Sequence, residues 1–128
     1  MLVLWDRDCG FCAFVLTTLL RADRRGEVRV ATIQSPEGQR LLADLPPERR
    51  LASWHVVLDD GRRLSGGEAL TAALRELGPA TRPLGALTGA MPGVTDRSYR
   101  WVAGHRRLLS RPIPRALKER ARDQLARR

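Results

Sequence analysis

The sequence predicts an α/β fold with the element order βαβαββα followed by a C-terminal helical extension, and three observations carry that expectation. An apolar run at the start gives way within a few residues to helical periodicity, which marks a strand-turn-helix unit. A β-branched run, Val28 to Ile33, follows after a short loop, so the two strands are expected to be parallel with a right-handed crossover. An Asp-Gly signal at Asp60-Gly61 then separates two short β-forming runs, the mark of an antiparallel hairpin. The core is expected over about residues 1–78 and the extension over about 79–128, together one domain, for which 128 residues with 43% hydrophobic content suffice.

Taken in order, Leu2 to Asp6 reads as a buried strand stopped by charge. From Cys9 the pattern is helical, with Cys12, Val15, Leu16 and Leu19 on one apolar stripe, Thr17, Arg21 and Arg24 opposite, and Gly26 as the stop. Ser35-Pro36-Glu37 opens a second helix, because Ser caps, Pro suits the first helical position and an acid favours the first turn. That helix is expected to reach Asp44, weakened by Gly38, and to end at Pro46-Pro47. Trp54 to Leu58 and Arg62 to Leu64 form the hairpin. Ser65-Gly66-Gly67-Glu68 has capping-box spacing and introduces a helix with Leu70, Ala73, Leu74 and Leu77 on one face, closed by Gly78-Pro79.

Beyond that point the pattern is helical, broken at Pro83, Pro92, Pro112 and Pro114. Its longest piece, about Thr95 to Leu109, sets Ser98, Trp101, Val102, His105, Leu108 and Leu109 on one face, expected to pack across the core. From Pro114 to Arg128, Leu117, Ala121 and Leu125 share one side of a charged helix expected to dock on its own chain. Two leucines are too few for independent membrane insertion.

The net charge of +9 is unevenly placed. Through residue 96 twelve arginines balance twelve acids, whereas residues 97–128 hold ten arginines and Lys118 against Glu119 and Asp123. Aromatic residues make up only 5% and none is interleaved in the basic tail, which argues against a specific nucleic-acid site. Neither a secretory leader pattern nor an 18-residue apolar run occurs, so no transmembrane segment and a cytoplasmic location are expected. Two cysteines, two residues apart, cannot build the multi-bridge framework of small secreted proteins and point to redox or metal chemistry instead. Zinc requires four ligands, and only His55 and His105 remain, at no recognised spacing, so no metal is expected; exchange between two cysteines implies no organic cofactor either.

Cys9-Gly10-Phe11-Cys12 lies where the first strand ends and the first helix begins. At a helix N-terminus, free amides and the positive dipole end lower a thiol's pKa from about 8.5 toward neutrality. Cys9 is therefore the expected nucleophile, and Cys12, one turn further in, the resolving thiol. Gly10 permits a close approach and an unstrained turn, and Phe11 presents an apolar edge beside the sulfurs. Arg7 and Asp8 act on a thiolate in opposite directions. Asp6 has two readings, a cap for the turn or a proton acceptor for Cys12.

Trp5-Asp6-Arg7-Asp8-Cys9-Gly10-Phe11-Cys12 followed by Val15 resembles the opening signature of the DCC family, named for its Asp-Cys-x-x-Cys motif. Gln34 to Gly38 resembles the family's second segment, the hairpin with Gly66 to Leu74 its third, and Tyr99, Val102, Ala103 and Arg106 its C-terminal helix. The resemblance implies a thioredoxin-like fold and thiol-disulfide exchange with a disulfide-containing protein or a small thiol. The chain departs from relatives at Arg7, where Gly is common, and at His105-Arg106-Arg107, where relatives carry Asn-Arg-Tyr. Thioredoxins place a proline just before their third strand, and Ala52-Ser53-Trp54 has none. The rival reading is a non-catalytic thioredoxin-like binding module whose basic C-terminal helices hold an acidic partner, nucleic acid or an anionic membrane. Reversible cycling of the cysteines separates the two.

Overall fold

The computed structural model describes residues 1–128. Its four-stranded mixed sheet has the order β2-β1-β3-β4. β1 (Leu2–Trp5) runs through the middle, parallel to β2 (Arg29–Thr32) with Val3 opposite Val30. On its other side it is antiparallel to β3 (His55–Val57), with Val3 opposite Val56, and β4 (Arg63–Ser65) closes the hairpin. Successive residues of a strand point to opposite faces. Val3 and Trp5 accordingly enter one core with Trp54 and Val56, while Leu2 and Leu4 enter another with Ile33 and Leu42. The first core is covered by α1 (Gly10–Leu20) and α4 (Gly66–Glu76), and residues flanking α2 (Pro36–Leu41) cover the second. This is the thioredoxin-like arrangement, with helical segments following it in the chain. None of its helices is long and apolar enough to cross a membrane.

Local chemistry explains most element ends. Ser35 caps α2 through a hydrogen bond to its oxygen from the Gly38 amide at 3.1 Å. Gly38 weakens the helix in isolation, yet a Cβ there would strike the Thr32 carbonyl and stand 2.7 Å from the Ile33 carbonyl oxygen. The helix can therefore lie against the end of β2 only with glycine at this position. α2 stops at Leu41, short of the expected Asp44, and a helix absent from the sequence reading, α3 (Pro47–Ala52), follows. Pro47, read as a terminator, instead takes the first helical turn, where its missing N–H costs nothing.

Four further expectations are corrected. α1 ends at Leu20 rather than at Gly26, which turns with positive φ in the loop before β2. Ser65 does not close a capping box, because its hydroxyl is engaged 2.7 Å from His55 Nδ1. The long helix expected over Thr95 to Leu109 is two, α6 (Pro92–Gly104) and α7 (Arg106–Ser110). At the break, His105 leaves the helical region while its ring stacks on Trp101 and its Nδ1 donates to the Trp101 carbonyl oxygen at 2.7 Å. The face proposed to cross the core is largely in solvent, with Trp101 56% and Leu108 51% exposed. α5 (Arg82–Ala90) and α6 pack on α4 instead.

The last helix, α8 (Arg115–Ala126), docks on α1 as expected and contributes Ala121 and Leu125 to the main core, although Leu117 stays exposed. α1 thus lies between the sheet and α8, which explains why its sequence is apolar nearly all round. Thr17, expected opposite the apolar stripe, donates to the Ala13 carbonyl and faces the Ala121 carbonyl at 3.5 Å.

Candidate active site

The turn between β1 and α1 carries the two sulfurs. Cys9 is the N-cap of α1: its backbone is extended and its Sγ accepts from the Cys12 amide at 3.2 Å, one of the otherwise unpaired N–H groups of a first turn. Cys9 and Cys12 form a disulfide with their Cα atoms 5.2 Å apart, within the range that such a bridge requires. Their environments differ. Cys12 is 4% exposed and belongs to the main core, whereas Cys9 is only partly buried.

The neighbouring residues build the turn. The Asp6 carboxylate accepts from the Asp8 amide at 3.0 Å and from Gln34 Nε2 at 2.7 Å, and Gln34 Oε1 accepts from the Arg7 amide at 3.1 Å. This reciprocal clamp ties the turn to the end of β2, and of the two readings of Asp6 the geometry matches the cap. Asp8 is exposed, with its carboxylate 4.0 Å from Arg7 Nε, while its carbonyl accepts from Arg122 Nη2 at 3.0 Å. Gly10 lies inside α1, and its close approach is to α8: a Cβ would stand 2.8 Å from Lys118 Cδ. Phe11 is half-buried and forms one wall of a groove.

That groove, about 370 Å³ in volume, opens beside Cys12. Its walls are predominantly apolar, drawn from α1, from α5 and α6 and from the residues before β3, and include Leu87, Met91, Val94 and Val102. Leu87, Met91 and Val94 are each at least half exposed, an unusual cost for large apolar side chains to bear in water. Just before β3 the Trp54 amide donates to the Tyr99 hydroxyl at 2.9 Å, so this backbone donor is already paired. Burial raises the Tyr99 pKa, against the opposing pull of the Trp54 amide and the Arg106 charge, and the phenol is kept neutral.

At the groove's sulfur end, Arg106 Nη1 approaches Cys12 Sγ at 3.6 Å. Sequence reasoning noted Arg106 only within the family-like C-terminal helix and did not connect it to the sulfurs, 94 residues away in the chain. The groove was likewise invisible, because its walls come from segments on both sides of the hairpin. His55 and His105 take no part. His55 is 1% exposed with both ring nitrogens occupied, by Ser65 and by the Arg50 carbonyl, and no cluster of three or more metal-ligating side chains forms anywhere.

Comparison with known proteins agrees with this geometry. The family model for DCC1-like thiol-disulfide oxidoreductase matches residues 3–112, from β1 past the end of α7. No curated protein and no solved structure matches the chain. A family match of that extent, taking in both cysteines and the groove beside them, makes this chain a member of the DCC1-like thiol-disulfide oxidoreductase family.

Proposed function

We propose that Cys9 is the attacking sulfur and Cys12 the resolving sulfur of a thiol-disulfide exchange whose substrate carries apolar groups beside its own sulfur. The observation that carries this reading is the asymmetry of the pair: Cys9 caps the helix and is partly exposed, while Cys12 is 4% exposed. Helix-terminal amides stabilise negative charge on the first sulfur, and burial restricts access to the second. In the reducing direction the Cys9 thiolate attacks one sulfur of a substrate disulfide and the other leaves as a thiolate. Cys12, as thiolate, then attacks Cys9 Sγ in the mixed disulfide, closing the Cys9–Cys12 bond and expelling the second substrate thiolate. Two electrons pass to the substrate, and the oxidising direction is the reverse, chosen by the relative potentials.

The apolar groove supports a substrate class, since it opens beside the sulfur pair at Cys12 and carries Phe11, Leu87 and Val94 on its walls. A disulfide-containing protein segment or an apolar small thiol fits such a surface. The roles are tested by trapping: Cys12→Ser is expected to accumulate a mixed disulfide with substrate, and Cys9→Ser to trap none, read by non-reducing electrophoresis and mass spectrometry. Equal trapping by the two variants, or trapping by Cys9→Ser alone, would overturn the assignment.

A further inference from the structure

Arg106, the first residue of α7, brings a cation to the buried sulfur. Its Nε donates to the Ala103 carbonyl and its Nη2 to the Leu51 carbonyl, each at 3.0 Å, which leaves Nη1 directed at Cys12 Sγ at 3.6 Å. Because the guanidinium is planar, these two anchors fix the third donor before any charge develops on the sulfur. Cys12 is 4% exposed, so a thiolate there has almost no water to solvate it, and burial alone would disfavour the charged form.

We propose that Arg106 is a catalytic residue that stabilises the Cys12 thiolate, assisting both the opening and the closing of the Cys9–Cys12 bond and raising its reduction potential. The inference rests on the reading above in which Cys12 is the sulfur released and reused. When a substrate thiolate attacks Cys9 Sγ, a substrate–Cys9 bond forms, the Cys9–Cys12 bond breaks, and its electron pair goes to Cys12 Sγ beside the guanidinium. In the reverse step that pair returns to Cys9 Sγ and the substrate sulfur leaves as a thiolate. Other ionisable groups on the surrounding elements are committed elsewhere. Asp6 is held by Gln34 and the Asp8 amide, Lys118 by Ser110, and Arg122 by the Asp8 carbonyl. Arg7 and Asp8 are exposed beside one another, and Tyr99 is kept neutral by burial. Arg106 is the one charged side chain in hydrogen-bonding contact with either sulfur.

The test is a redox titration of Arg106→Gln in glutathione buffers, paired with a pH titration of ultraviolet thiolate absorbance in the reduced protein. Loss of the guanidinium is expected to lower the equilibrium constant for reduction about tenfold, some 30 mV toward more negative potential, and to move thiolate formation to higher pH. Arg106→Lys should recover part of both effects. A role confined to tying Leu51 and Ala103 would change the unfolding midpoint while leaving potential and thiolate titration in place, and that result in a folded Arg106→Gln overturns the proposal. Should Arg106→Gln not fold, Cys9→Ala with Arg106 intact decides: Cys12 is expected to titrate below the ~8.5 of a free cysteine, and titration above it overturns the proposal. Equal trapping by the two serine variants would overturn the roles of the sulfurs alone, since these titrations report on Arg106 whichever sulfur attacks.

Discussion

At the scale of single residues, His55 is held in a defined protonation state by its surroundings. A carbonyl only accepts, so the ring nitrogen 2.9 Å from the Arg50 carbonyl carries the proton, and the other accepts from the Ser65 hydroxyl. Burial lowers the pKa of His55 from 6.5; the Arg50 carbonyl opposes this and the nearby Arg63 charge adds to it. In the unfolded chain His55 takes up a proton as pH falls through about 6.5, while in the folded protein it stays neutral to lower pH. The unfolded state therefore binds more protons, and the stability contributed by neutral His55 is full above 6.5 and lost as pH falls toward the depressed folded value. Urea midpoints measured between pH 7.5 and pH 5 are expected to fall with pH in the wild type and to fall less steeply in His55→Gln. Parallel slopes would show that His55 does not drive the dependence.

At the scale of elements, α8 is part of the core although the family match ends before it. It buries Ala121 and Leu125 against α1, and it reaches the active-site turn through Arg122 on the Asp8 carbonyl and through the close approach of Lys118 to Gly10. Arg128, in the residues after it, pairs with Asp23 at 2.8 Å. Burial works to raise the Asp23 pKa, but the Val28 and Glu27 amides and the Arg128 charge outweigh it and the value falls below the usual one. The prediction is that Leu125→Ala lowers unfolding stability by about 2–5 kcal/mol, the usual cost of emptying a buried leucine site. Leu117→Ala on the exposed side of the same helix should change it by about 0.5 kcal/mol or less. Chemical denaturation of the two variants checks this, and similar losses in both would mean that α8 is not anchored through Leu125.

At the scale of the whole molecule, the C-terminal segments complete the redox site. α5 and α6 supply one side of the groove beside Cys12, and α7 begins with the arginine that reaches it. Several basic residues behind the +9 charge are spent on internal partners: Arg100 on Asp96, Arg106 on Leu51 and Cys12, Arg115 on Glu119, Arg122 on Asp8 and Arg128 on Asp23. If the groove receives apolar groups beside a substrate sulfur, a charge placed in it must be desolvated whenever such a substrate binds. Val94→Asp is accordingly expected to raise KM for a disulfide with apolar flanks by about tenfold while leaving exchange with a small hydrophilic thiol nearly unchanged. Steady-state kinetics with the two substrate types checks this, and an equal loss with both would place binding elsewhere.

The sequence by itself determined the local features: the strand-turn-helix that carries Cys9 and Cys12, the parallel crossover, the hairpin, and the family to which they belong. These are legible because period, caps and turn residues act over a few neighbours, and the two sulfurs lie within one helical turn. The Ser35 cap could be read for the same reason. Pro47 misled, because a proline is compatible with the first turn of a helix as well as with the end of one, and His105 misled because its break in α6–α7 depends on where its own ring goes. What only the tertiary structure decided is which distant groups meet: Asp6 with Gln34, Tyr99 with Trp54, α8 with α1, and Arg106 with Cys12. Such pairings depend on how helices pack across a sheet, and no spacing along the chain encodes a contact made 94 residues away.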